Sequence, residues 1–280
     1  MKRKKPGKTV SLLMVLLIYI LAFLVGFWGV LELKIPSPLW QMAYANLMAA
    51  VVIYFFSKFM DNSSLFTPFW SIAPILTAFY WLLPNLFMKT ISFYQWVGIA
   101  LILFWGLRLT LHWMLRWEGF RQEDWRFQAL RKQTRHWYWT FSLVAIHLLP
   151  SALVFLATLP LYFVFERPPT VPVTGIWVVA VFIMVLGVGL ETVADFQLLK
   201  FNGNTSNRNK LLRSGVWAKL SHPNYVGEML FWWGIYLYAI SFYLPLWRLF
   251  LGPTLITFTF YFILIPWMDK HLENRKNDGK

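Results

Sequence analysis

Glu191 and Asp195 stand four residues apart, and the next polar stretch contains Ser221-His-Pro-Asn-Tyr-Val-Gly-Glu228. An i,i+4 spacing on a helix projects both carboxylates from one face. In a bilayer such groups are costly, about 2.5–3.5 kcal/mol for a charge at the centre on insertion scales and less near the interface. Two readings follow: the pair is hydrated at a membrane boundary, or it holds a polar ligand or a basic partner. Lys200, Arg208, Lys210 and Arg213 come next, as a phosphate-bearing ligand would require. The His-Pro-Asn-Tyr run reads as the start of a helix, with proline in the first turn and Ser221 or His222 as the cap. Asn224 and Glu228 then lie one turn apart, beside free amides that suit an anionic or carbonyl-bearing group. Glu228, partly withdrawn from water there, is placed to act as a general acid, with Tyr225 beside it as a second proton source. The plainer alternative is a capping glutamate that faces headgroups.

A second set lies upstream. Arg108, His112 and Arg116 form an i, i+4, i+8 basic stripe on an otherwise apolar helix. Snorkelling accounts for Arg116. Arg108 lies two turns deeper and calls for an anion, for which Glu191, Asp195, Glu228 or a ligand phosphate are candidates. His136, His147 and His271 have no ligand spacing and read as structural. The chain has no cysteine, which excludes disulfides and thiolate metal sites. It also has no His-Glu-x-x-His, no phosphate-loop pattern and no Gly-x-Gly-x-x-Gly. No metal site is expected, and a nucleotide would have to bind without the machinery of soluble folds.

The elements that must position these groups are membrane helices. Apolar residues make up 58% of the chain and charged residues 14%, and long apolar runs recur. Spans are expected near 11–31, 43–59, 69–87, 93–114, 139–163, 173–195, 225–245 and 249–268, an all-α polytopic bundle of about eight helices. The first is too long for a secretion signal and has no small-x-small cleavage site. Residues 1–10 form a basic N-terminus, 11–268 one membrane domain, and 269–280 a tail. Under this model lysine and arginine crowd one side, and the other keeps Lys34, Lys89, Arg167 and Arg248. Both termini are therefore expected in the cytoplasm. The net charge of +14 is explained by a basic face beside anionic lipid rather than by nucleic acid. The sequons at Asn62 and Asn204 fall on that face and are discounted. Two loops, about 116–138 and 196–224, concentrate polar chemistry there, so soluble reagents would enter from the cytoplasm and apolar ones from the bilayer.

Together, Gly106-Leu-Arg108-Leu, Glu123-Asp-Trp-Arg126-Phe, Glu191-x-x-x-Asp195-x-Gln197, Gly215-Val-Trp, Ser221-His-Pro-Asn-Tyr-Val-Gly-Glu228 and Trp232-Trp233-Gly234 resemble the steroid 5-alpha-reductase superfamily. The resemblance covers roughly residues 95–270 and is closest to the bacterial branch of multi-pass proteins. It implies a bacterial inner-membrane domain that binds NADPH from the cytoplasmic side and reduces an activated double bond in an apolar, sterol- or isoprenoid-like substrate. On this analogy Arg108, Arg126, Glu191, Asp195, Arg208, Arg213, His222 and Asn224 line the cofactor. Glu228 matches the catalytic glutamate that polarises an enone carbonyl. The pattern departs at Ser221, where bacterial relatives commonly have arginine. It departs also at Trp105, near which the steroid enzymes place a tyrosine, and at Glu191, where they carry asparagine.

Two other readings fit the same residues. A membrane methyltransferase of the isoprenylcysteine type also carries a His-Pro-x-Tyr run before a late helix. It would bind S-adenosylmethionine through an acidic residue and need no phosphate-binding basic loop. A non-catalytic lipid-binding protein would bind neither cofactor.

Overall fold

The computed structural model is all-helical and describes residues 6–170, 172, 174–207 and 210–277. Among the described residues, seven helical stretches are long and apolar enough to cross a membrane. They are Lys8–Glu32, Pro38–Phe59, Ser63–Phe87, Phe93–Arg116, Trp125–Thr158, Gly175–Asn202 and Leu244–Asn274. The protein is thus a polytopic membrane helix bundle. The span expected at 225–245 forms as a helix, Pro223–Ile240, but is not among the seven. Its first two turns carry Asn224 and Glu228, which dilute its apolar character. The expected 116–138 loop is also more ordered than its composition suggested, since Trp125–Thr134 is helical.

The chain divides into two compact units. The first holds α1 (Lys8–Glu32), α2 (Pro38–Phe59), α3 (Phe69–Phe87), α4 (Phe93–Arg116) from Ile102 onward, α5 (Trp125–Thr134), α6 (Tyr138–Ser142) and most of α7 (Leu149–Thr158). Small residues let α1 and α2 approach closely: a Cβ on Gly26 would meet the Ala45 carbonyl oxygen at 2.8 Å. Such contacts, rather than the hydrophobic effect, hold helices together in lipid. Around them Phe69 stacks on both Phe23 and Phe66, with ring centroids 6.1 and 4.9 Å apart.

Several polar groups buried in this unit are paired across elements. Asn46 on α2 donates to Thr77 Oγ1 on α3 at 2.9 Å. His147 lies in a π-helical turn, Leu143–Leu148, with Nδ1 2.9 Å from the Ser142 carbonyl and Nε2 3.2 Å from Ser57 Oγ. That is the structural role expected of it. Asn62 is fully buried and accepts the Ser64 N–H at 2.9 Å, capping the short turn Ser63–Phe66.

The second unit holds the start of α4 as far as Leu101, α8 (Pro160–Glu166), α9 (Gly175–Asn202), α10 (Pro223–Ile240), α11 (Leu251–Phe258) and α12 (Ile265–Asn277). A π-helical turn, Thr259–Leu264, joins the last two. Its centre is the antiparallel pair α9 and α10. Gly187 abuts Gly227 and Phe231, Gly227 abuts Glu191, and Gly234 abuts Met184, each with less than 3 Å left for a Cβ. Glycine at these levels brings the two backbones together and sets the register.

Candidate functional site

α9 does not stop at Asp195 as the apolar run suggested; it continues to Asn202. Glu191 and Asp195 therefore sit inside the helix rather than at its frayed end. Glu191 is 3% exposed and Asp195 8%, so neither is hydrated at a boundary. They continue the stripe Trp177, Ala180, Met184 and Gly187, the face that meets α10. Gly227 gives Glu191 its room, since a Cβ there would lie 2.5 Å from Glu191 Cγ.

The loop after α9 folds back onto that helix. The Val216 N–H donates to Gln197 Oε1 at 3.1 Å, and the Trp217 indole N–H donates to the Ala194 carbonyl at 3.1 Å. Gly215 makes the reversal with φ +61°, a left-handed conformation that suits glycine, under the Gln197 amide. The Gly-Val-Trp motif is thus a clasp that fixes the loop beside Asp195. Arg213, just before it, is exposed. Arg208 lies outside the described residues.

α10 begins at Pro223 as the proline implied, with His222 in the N-cap position and Ser221 outside it. Ser221 is exposed, and His222 makes no side-chain capping bond. His222 is instead committed elsewhere: its Nε2 lies 2.9 Å from Asp269 Oδ1 on α12. Its ring stacks on Tyr225, with centroids 5.4 Å apart and planes 12° apart, and Tyr225 meets the edge of Phe260 at 5.0 Å. Asn224 lies three residues before Gly227, so it continues the α10 face turned to α9. Its Oδ1 is buried and has no hydrogen bond among the described residues, a cost of about 1–3 kcal/mol unless a ligand or water supplies a donor.

Glu228 is about 100° around the helix from Gly227. It is partly buried, and its Oε1 accepts the Trp232 indole N–H at 2.9 Å. That bond holds one oxygen of the carboxyl against the α10 helix itself. Glu191, Asp195, His222, Asn224, Tyr225 and Glu228 therefore all belong to one end of the α9–α10 pair.

Arg108 and Arg126 belong to the first unit. Arg108 is partly buried on α4, and Trp105, one turn before it, is fully buried. Arg126 is turned to its own helix: Nε donates to Asp124 Oδ1 at 3.0 Å and Nη2 to Oδ2 at 2.8 Å. Asp124 caps α5 through the Arg126 N–H. Burial works to raise the Asp124 pKa, but the Arg126 guanidinium and hydrogen bonds outweigh it and hold it below the usual range. Beside it Glu123 accepts the Ser63 N–H at 2.8 Å and pairs with Arg131 at 3.2 Å, and Arg131 reaches Asp61 at 2.7 Å. The Glu123-Asp-Trp-Arg126-Phe motif thus ties a loop and a helix start together.

Sequence reasoning missed Asp269, which it assigned to a tail. The tail is helical as far as Asn277, and one signal was available: Asp269 is the first carboxylate after a long apolar run. Trp232 as the partner of Glu228 was legible from i,i+4 spacing.

No curated protein and no solved structure matches the chain. A family model does match, over residues 53–280. The chain belongs to that family, described as protein of unknown function (DUF1295), of the steroid 5-alpha-reductase-like membrane class.

Proposed function

We propose that the protein is a membrane reductase that uses NADPH to reduce an activated carbon–carbon double bond in an apolar, sterol- or isoprenoid-like substrate drawn from the bilayer. The observation that carries this is the pair of buried carboxylates on the α9 face that packs against α10, together with Asn224 Oδ1, buried without a hydrogen bond among the described residues in the first turn of α10. Buried acceptors clustered at one end of a helix pair suit the hydroxyl and amide donors of a dinucleotide. Arg213, and Arg208 on the same loop, would take the ribose phosphate that separates NADPH from NADH.

When bound, NADPH would supply the two reducing electrons and one hydrogen. The rest falls to side chains. Glu228, braced by Trp232, would hydrogen-bond the carbonyl of an enone and draw negative charge toward its oxygen. The α-carbon then needs a proton, from Glu228 itself, from Tyr225 or from water. We place the site and both termini on the cytoplasmic side of a bacterial inner membrane, where the basic residues gather.

The methyltransferase reading keeps one support, since buried carboxylates also suit the ribose diol of S-adenosylmethionine. The exposed basic loop favours NADPH. The test is NADPH oxidation by the purified protein with enones of sterol and isoprenoid type. Oxidation that depends on the enone and is lost in Glu228→Gln supports the reading. Methyl transfer from S-adenosylmethionine to a prenylated acceptor, with no NADPH oxidation, would replace it.

A further inference from the structure

His222 is 7% exposed, and its Nε2 lies 2.9 Å from the carboxylate of Asp269, whose own side chain is 55% exposed. A carboxylate oxygen only accepts, so the hydrogen of this bond belongs to Nε2. In the neutral ring Nδ1 is then a bare acceptor. Among the described residues Nδ1 makes no hydrogen bond. Two residues on, Asn224 Oδ1 is a buried acceptor with no hydrogen bond among the described residues. The two acceptors flank Pro223, which has no N–H to give them. The ring itself is clamped, held at one edge by Asp269 and across its face by Tyr225.

We infer that Asp269 is a positioning residue that fixes the tautomer and plane of His222, so that the start of α10 receives a ligand through hydrogen-bond donors rather than through phosphate. This rests on the NADPH reading and sharpens it. The part of the cofactor seated at His222 and Asn224 is one that carries donors, a ribose hydroxyl pair or the nicotinamide carboxamide. The phosphates belong instead with the loop arginines. A carboxylate that orients an imidazole from its far side is the arrangement by which proteins set ring nitrogens at ligand sites. In this chain it couples the C-terminal helix α12 to the first turn of α10.

The experiment uses the full chain in detergent, with NADPH as the probe. Dissociation constants are measured for wild type, Asp269→Ala and Asp269→Glu, beside the unliganded melting temperature of each. In parallel, 15N spectra of histidine-labelled protein, with His222→Gln for assignment, report which ring nitrogen of His222 carries hydrogen. The expected result is a weakening of about tenfold in Asp269→Ala, the size of one net hydrogen bond. Asp269→Glu should recover part of that loss, and in the wild type Nε2 should be protonated and Nδ1 bare. Unchanged NADPH binding in a folded Asp269→Ala, or hydrogen on Nδ1 with Nε2 bare, would overturn the inference. If wild type does not bind NADPH, the reductase reading fails, and the 15N spectrum still decides whether Asp269 sets the ring. If Asp269→Ala does not fold, Asp269→Glu and the wild-type spectrum decide.

Discussion

Glu228 and Asp124 show how differently two carboxyls of this chain are employed. Glu228 has one oxygen held by Trp232 and lies at the same end of the α9–α10 pair as the two buried carboxylates. On the proposed mechanism, Glu228→Gln keeps the shape and a weak donor but loses the acid. Turnover of an accepted enone should fall by about 10²–10⁴-fold, while the NADPH dissociation constant changes little. Turnover at the wild-type rate would make Glu228 a packing residue. Asp124 is structural by contrast, the cap of α5 clasped by Arg126. Asp124→Ala should cost about 0.5–2 kcal/mol, read as a lower melting temperature with ligand binding retained. Because its pKa in the folded protein is lowered, its contribution is complete above the ordinary carboxylate range. That contribution is lost as pH falls through the lowered folded value. A melting-temperature profile against pH should therefore show a loss on the acid side that Asp124→Asn lacks.

At the scale of elements, the glycines of α9 and α10 make a sharp comparison. A Cβ on Gly227 would meet Glu191 Cγ at 2.5 Å and the Gly187 carbonyl oxygen at 2.6 Å, whereas Gly189 has nothing within 4 Å. Gly227→Ala should destabilise by about 1–3 kcal/mol and displace Glu191. Gly189→Ala on the exposed side should gain about 0.5–1 kcal/mol. Equal melting temperatures for the two variants would contradict the close approach of α9 and α10. These helices were legible because an apolar run of membrane length leaves few alternatives, and the proline at 223 marked where α10 begins. α5 was not legible, because its ten residues are polar and its stability comes from the Asp124 cap and the Glu123 and Arg131 pairings, which join distant parts of the chain. The His222–Asp269 pair escaped for the same reason. Nothing local to either residue tells of the other, and a histidine next to proline looks like a cap until its nitrogen is found elsewhere. The Glu191 and Asp195 pairing was visible by spacing, but its burial depended on Gly227 from another helix.

At the scale of the whole molecule, seven stretches among the described residues can cross a membrane by length and composition, and α10 is a further helix with a polar start. With both termini in the cytoplasm, as proposed from the segregation of lysine and arginine, reporters fused at Lys89 and after Lys280 should report opposite sides. The same side for both would remove the common-face placement of the site. The central claim, that the α9–α10 end holds a phosphorylated dinucleotide, is tested most directly by thermal stabilisation. The detergent-purified full chain would be screened against NADPH, NADH and S-adenosylmethionine. A ligand present at 100 times its dissociation constant adds about 2.7 kcal/mol. The account predicts the largest shift with NADPH, a smaller one with NADH, and loss of both shifts in Asp195→Ala. Stabilisation by S-adenosylmethionine alone, or by none of the three, would contradict it.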